Sequence, residues 1–335
     1  MPNDARASFS TSEIVRVLEI FGIGGLSSLS KLEAGSRRAP KLVAACASGN
    51  YLLKRRELQG AQIDVVRYTS RVHQYALRQG VPCARLMTTI EGEPLLIEGP
   101  FVYEVQEFVQ GHRYTHRHDQ AAAAGAALAR FHTAMVGFEG ARASAPPSYC
   151  RNPRVHLALQ KLESSTADAS RRALCSSLAA RYERAATHAW PALACVTHSD
   201  YHPGNVLLDG ARVVAIIDFD SARVAPVVSD LANAALQFGV PPIVGNDPST
   251  WEPRFNEHCL RALVRGYRGE RTAPKGTSDA IAPLMIQAAI QEVVNSVAKK
   301  GAFGSIDGWS MMAYVDRKTR WIEESSSAIA TLCKP

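Results

Sequence analysis

The chain has 335 residues, 46% hydrophobic and 21% charged, enough apolar material for a large core in one domain or two coupled lobes, and a balance that speaks against disorder along most of its length. Its formal charge of +7 comes from scattered Lys and Arg with no zinc-finger, RRM or basic-zipper pattern, which excludes the common nucleic-acid modules. Seven widely spread cysteines without a C-x-x-C pair exclude a disulfide framework and a zinc ribbon and point to a reducing, cytoplasmic setting.

Residues 1–11 read as a flexible start without an apolar leader. Residues 12–21 form a helix with Ser12 as N-cap and Ile14, Val15, Leu18 and Phe21 on one face. After Gly22, Gly24 and Gly25 come three strand-like runs, 29–33, 41–46 and 51–54. Gly35-Ser36 and Ser48-Gly49-Asn50 separate them, so they form an antiparallel meander. A helix over 63–78, stopped by Gly80 and Pro82, and strands over 95–97 and 101–109 complete a small lobe, residues 12–110. From 111 to 335 the chain is mainly helical: helices over 119–135, 153–163 and 169–189, then 255–268, 281–299 and 311–327. One tight hairpin interrupts them, 205–208 with 212–217 around Asp209-Gly210. No stretch approaches the roughly 20 apolar residues of a membrane span. Over 141–190 eight Arg or Lys stand against three Asp or Glu, an excess that reads as solvated helix faces or as attraction for an anionic or zwitterionic ligand.

The chemistry sits in Thr197-His198-Ser199-Asp200-Tyr201-His202-Pro203-Gly204-Asn205-Val206-Leu207-Leu208 and the following Ile216-Ile217-Asp218-Phe219-Asp220. Phosphoryl transfer asks a protein for one base and for hard oxygen ligands that hold metal ions against the phosphates. Asp200 precedes Asn205 by five positions, the kinase catalytic-loop spacing in which Asp takes the hydroxyl proton and Asn holds magnesium. Asp218, at the end of the second hairpin strand, offers the second metal carboxylate. His112, His116 and His118 lie in a polar loop with no fourth ligand in reach and do not read as a metal site.

H-S-D-Y-H-P-G-N and I-D-F-D resemble the catalytic and metal motifs of the aminoglycoside phosphotransferase and choline kinase-like superfamily. That superfamily includes the type II homoserine kinases and usually writes H-G-D-x-H-x-x-N, with glycine where Ser199 stands here. The resemblance runs over residues 29–233 and implies an α+β class, bilobal protein kinase-like fold with a small antiparallel-sheet N-lobe and a larger, mainly helical C-lobe. It implies ATP or GTP with Mg2+ as cofactors. Lys54 and the Gly35-Ser36 turn would meet the phosphates, and the hinge Gln106-Glu107-Phe108 would bond adenine through the backbone of Gln106 and Phe108. Asn205 and Asp218 would hold magnesium, and Asp200 would be the base. His132 and His202 are expected in structural and loop-orienting roles, and Asp230 as a brace for the catalytic loop. One feature departs from kinases, which pair the strand lysine with a glutamate of the next helix: residues 63–78 contain no Glu, so Glu57, Asp64 or another arrangement must hold Lys54. The expected partner is a small-molecule hydroxyl acceptor such as homoserine, choline or a related amino alcohol, with neither nucleic acid nor membrane. The alternatives are an aminoglycoside O-phosphotransferase, a protein Ser/Thr kinase, and a catalytically weak nucleotide-binding regulator.

Overall fold

The computed structural model describes residues 9–32, 40–58, 62–140, 151–191 and 193–334. They separate into two compact units. The first holds the described residues of Met1–Gly111, Phe138–Ala145 and Val214–Asp220, and the second those of His112–Gly137, Pro146–Val213 and Ser221–Pro335.

In the first unit, α1 (Thr11–Ile20) starts one residue before the expected position, and its cap is Ser10 rather than Ser12. The physical reason is a reciprocal capping box: the Glu13 N–H donates to Ser10 Oγ at 3.1 Å, and Glu13 Oε2 accepts from the Ser10 N–H at 3.2 Å, satisfying two otherwise orphan donors. The strands β1 (Leu26–Lys31), β2 (Lys41–Cys46), β3 (Gly49–Glu57), β4 (Leu96–Glu98) and β5 (Phe101–Glu107) form an antiparallel sheet in the order β1-β2-β3-β5-β4. Alternate residues of a strand face opposite sides, and here the two sides differ in use. Leu42 and Ala44 of β2, Tyr51 and Leu53 of β3, and Tyr103 and Val105 of β5 join Ile14, Val17, Leu18 and Phe21 of α1 in one buried cluster. Arg55, on that side too, lies over the rings of Phe9 and Phe101 and pairs with Glu13 at 2.6 Å, tying α1 to the sheet. On the other side α2 (Gln62–Arg78) sets Val66 against Val102 and Leu95.

The segment Val214–Asp220 is fixed to this unit by its backbone and by a ring. The Ile216 N–H donates to the Pro82 carbonyl at 2.7 Å, and Phe219 stacks on His73 of α2 with centroids 4.5 Å apart.

The second unit carries α3 (His118–Ala134), α4 (Pro153–Ser164), α5 (Ala169–Thr187), the strands β6 (Ala194–Thr197), β7 (Val206–Asp209), β8 (Arg212–Ile216, whose last residues belong to the first unit) and β9 (Arg223–Pro226), then α6 (Val227–Phe238), α7 (Glu257–Glu270), α8 (Thr277–Lys300), the short strands β10 (Ala302–Phe303) and β11 (Ile306–Asp307), α9 (Gly308–Glu324) and α10 (Ser326–Leu332). The antiparallel pair β6-β9 and helix α6 have no counterpart among the expected elements. Nearly every residue of α6 is buried, so its sequence shows no polar stripe from which a helical period could be read. Helix α8 is, by length and composition, long and apolar enough to cross a membrane, contrary to expectation, and 78% of its apolar window is buried inside the protein. Helices α3 and α7 meet at two glycines: a Cβ on Gly125 would stand 1.9 Å from the Leu263 carbonyl oxygen, and one on Gly266 would stand 2.0 Å from that of Ala122.

Candidate active site

The loop after β6 is braced from below by Asp230 of α6. Its Oδ2 accepts the His198 N–H at 2.8 Å and its Oδ1 the Ser199 N–H at 2.9 Å, while His132 Nε2 donates to Oδ2 at 3.0 Å. A carboxylate only accepts, so His132 Nε2 donates to it, and His132 Nδ1 lies 2.8 Å from the Tyr267 hydroxyl. Burial alone would raise the Asp230 pKa; the hydrogen bonds from His132 and the His198 backbone outweigh it and hold the group below its ordinary value. His132 and Asp230 are therefore structural, as expected.

Braced in this way, the loop turns sharply. Ser199 sits at φ +62°, in the left-handed region that favours glycine, which accounts for the glycine of the usual motif. Its Oγ shares a 2.7 Å hydrogen bond with Thr197 Oγ1. The next residue is Asp200. Asn205 Nδ2 donates to the Asp200 carbonyl at 2.9 Å and to Asp200 Oδ2 at 3.1 Å. The amide is thereby oriented, with Oδ1 as its remaining oxygen. His202 Nδ1 accepts the Gly204 N–H at 3.0 Å, which leaves the ring proton on Nε2, 3.8 Å from Asp200 Oδ2. Asn233 of α6 donates to the Tyr201 carbonyl at 3.5 Å. One turn further along the same helix Gln237 donates to Glu292 Oε2 of α8 at 3.0 Å. Desolvation, with the Asp200 carboxylate as second cause, pushes the Glu292 pKa up to about 7. Lys318 of α9, itself depressed to about 7 by desolvation, is drawn the other way by Glu292.

In the first unit the question of what holds Lys54 has a clear answer. Lys54 is 4% exposed, and its Nζ bonds Asp218 Oδ1 at 2.9 Å and also Asp220 Oδ2. Asp64 pairs instead with Arg67, at 3.9 Å on the exposed face of α2, and Glu57 ends β3 with an exposed side chain. Lys41 of β2 reaches Asp218 Oδ2 at 2.9 Å, and Arg56 reaches Asp220 Oδ1 at 2.6 Å and Glu104 at 3.4 Å. Burial would raise the pKa of both aspartates; Lys54, with Lys41 at Asp218 and Arg56 at Asp220, holds Asp218 below its ordinary value and Asp220 well below it. Asp218 also stands at φ +66°, a strained conformation of the kind that gathers at functional sites.

In the expected hinge the backbone is already engaged in the sheet. The Phe108 N–H is spent on the Asn50 carbonyl at 2.8 Å. By the alternation of an antiparallel ladder, Gln106, opposite Leu52, is the next hydrogen-bonded position. Both backbones therefore face β3, and Glu107 faces the other way, its N–H donating to the Arg85 carbonyl at 2.9 Å. By the same alternation the Glu107 carbonyl points away from β3. Gly35 and Ser36 lie outside the described residues.

Four residues with prominent places in this geometry escaped sequence reasoning. Asp220 stood in the quoted I-D-F-D run, and the missing helix glutamate was the signal that another acid must take Lys54. Lys41 and Arg56 could have been found from the register of the meander. Glu292 left no local signal, because only packing brings α8 to the catalytic loop.

A sequence comparison matches the model of the phosphotransferase enzyme family to residues 29–277. No curated protein matches the chain. Among solved structures, the chain is similar to a microcompartment-associated aminopropanol kinase (TM-score 0.69, 16% identity, 95% of this chain and 98% of that one). It is similar also to the amicoumacin kinase hAmiN in complex with AMP-PNP, Ca2+ and Ami (TM-score 0.68, 12% identity, 95% and 94%). A third is the spectinomycin phosphotransferase APH(9)-Ia in complex with ADP and spectinomycin (TM-score 0.64, 15% identity, 95% and 100%). The likeness establishes the α+β, protein kinase-like fold.

Proposed function

This chain belongs to the phosphotransferase enzyme family, and from that premise we propose that it moves the γ-phosphoryl group of ATP, or of GTP, to a hydroxyl of a small molecule that also carries an ammonium group, an amino alcohol such as homoserine or choline. The observation that carries this reading is the Asp200 loop, in which a base, an oriented amide and an aspartate brace stand in one hydrogen-bonded unit.

Asp200 takes the proton of the acceptor hydroxyl as the oxygen attacks the γ-phosphorus. Asn205 keeps the Asp200 carboxylate in place through Nδ2. Asn205 Oδ1, turned by the amide's own donor bonds, and Asp218, held ionised among lysines, are each oxygen donors of the kind that magnesium, a hard cation, prefers. An ion held by such oxygens would neutralise charge developing on the phosphates. Lys54 bonds the phosphates, and the Glu107 carbonyl is the adenine edge. Because Lys54 is already engaged by Asp218 and Asp220, the absent helix glutamate no longer argues for a non-catalytic regulator. Glu292, near enough to Asp200 for the two charges to interact, supplies the attraction for an ammonium group. The same feature favours a second reading, an aminoglycoside acceptor. The scattered cysteines, all six of the described ones free, suit work in the cytoplasm.

The test is magnesium-dependent ADP or GDP release by the purified chain across pooled amino alcohols, sugars, aminoglycosides and protein acceptors, with Asp200→Ala as control. Stimulation by amino alcohols, lost in the variant, is expected. A response confined to aminoglycosides moves the assignment to the second reading. Tight nucleotide binding with no transfer to any pool overturns both.

A further inference from the structure

The register of the first sheet places two lysines face to face. Lys41 of β2 is the cross-strand partner of Lys54 on β3, and Lys54 in turn is opposite Glu104 on β5. Like charges directly opposite each other in a sheet destabilise it. A purely structural strand pair gains nothing from this arrangement, which becomes favourable only when an anion sits between the ammonium groups. In the structure that anion is Asp218, with one oxygen on each lysine, both at 2.9 Å.

The neighbouring row of the same ladder has a different character. Val43 of β2 faces Leu52 of β3, which faces Gln106 of β5; both aliphatic residues are only partly buried, on the side of the sheet away from the α1 cluster. An aliphatic row and a cationic row thus lie two residues apart, roughly 7 Å along the strands. The order suits a nucleotide lying along the sheet, its base on Val43 and Leu52 and its phosphates at the lysines.

We propose that Lys41 is a second phosphate-binding lysine, exchanging its bond to Asp218 Oδ2 for a phosphate oxygen when nucleotide binds. The exchange keeps the lysine paired and returns Asp218 Oδ2 as an oxygen ligand. The proposal rests on the nucleotide reading above, and the two can fail separately. Equilibrium titrations of adenosine, ADP and ATP into the full-length wild type, Lys41→Ala, Lys41→Arg and the surface control Lys31→Ala decide it, beside thermal unfolding without nucleotide. Loss of a charge-assisted bond of about 1.5–3 kcal/mol corresponds to a loss of roughly tenfold or more in affinity. Lys41→Ala is expected to weaken ATP and ADP by that factor, to leave adenosine unchanged, and to be largely restored in Lys41→Arg. ATP affinity unchanged in Lys41→Ala, with only its unfolding temperature altered, makes Lys41 a structural ion pair and overturns the proposal alone. Equal weakening of adenosine and ATP overturns it too, since a phosphate contact cannot act on adenosine. A wild type that binds neither these three nor guanosine, GDP and GTP overturns this proposal together with the nucleotide reading.

Discussion

Ser199 shows how a single backbone angle shapes this motif. A non-glycine residue in the left-handed region carries a cost of about 1–2 kcal/mol, offset here by the N–H bond to Asp230 and the Oγ bond to Thr197. Ser199→Gly should therefore keep activity and change stability by less than about 1 kcal/mol, whereas Ser199→Val, β-branched and without the hydroxyl, should lose most activity and several degrees of melting temperature. Unfolding curves and turnover of the two variants check this; equal tolerance of Gly and Val would show that the angle is not a constraint. Glu292 permits a pH test. Its folded pKa, about 7, exceeds an ordinary Glu value of about 4.3, so the folded state holds the proton longer. Its contribution to stability is fully present below the unfolded value and is lost as pH rises through about 7. Glu292→Gln has no such loss, so its melting temperature relative to wild type should be higher at pH 8 than at pH 5. The acceptor KM of the wild type should fall as pH rises through about 7 and the carboxylate forms. Glu292→Gln should remove that limb. A pH-independent KM in the wild type would remove Glu292 from acceptor recognition.

Helices α3 and α7 approach closely enough for two glycines to be required. With carbonyl oxygens 1.9 and 2.0 Å from the positions a Cβ would take at Gly125 and Gly266, the clash is with backbone and cannot be relieved by a rotamer change. Either Gly→Ala substitution should cost about 1–3 kcal/mol or more, seen as an earlier midpoint in urea with an unchanged slope; a wild-type midpoint would mean that the helices separate freely. At this scale the sequence was legible where one face of an element is wet. β2 and the start of α4 fall where the residues place them, because a strand face that is only partly buried or an Asn-Pro cap leaves a local pattern. It was illegible where burial is complete, as in α6, and in the short pair β6-β9, whose partners lie far apart in sequence. The Ser10 cap was missed because Ser10, Thr11 and Ser12 are all competent N-caps, and the reciprocal Glu13 bond chooses among them.

Taken as a whole, the chain distributes its chemistry over both compact units: cations and Asp218 in the first, Asp200 and Asn205 in the second. The catalytic loop and metal motif could be read because phosphoryl transfer fixes residue types at fixed spacing. The supporting charges Lys41 and Asp220 left weaker traces, in the strand register and in the missing helix glutamate, and Glu292 left none, because only helix packing brings it in. If nucleotide binds the folded chain, saturation at about 100 times Kd should add about 2.7 kcal/mol of stability, observable as a higher melting temperature with ATP. The most direct measurement combines this with chemistry: nucleotide affinity and single-turnover phosphoryl transfer measured side by side for wild type and Asp200→Ala. The expected result is an affinity within about twofold of wild type, with transfer slowed by about 100-fold to 10,000-fold, the usual contribution of a positioned general base. Transfer at the wild-type rate in Asp200→Ala would contradict the assignment of Asp200 as the base.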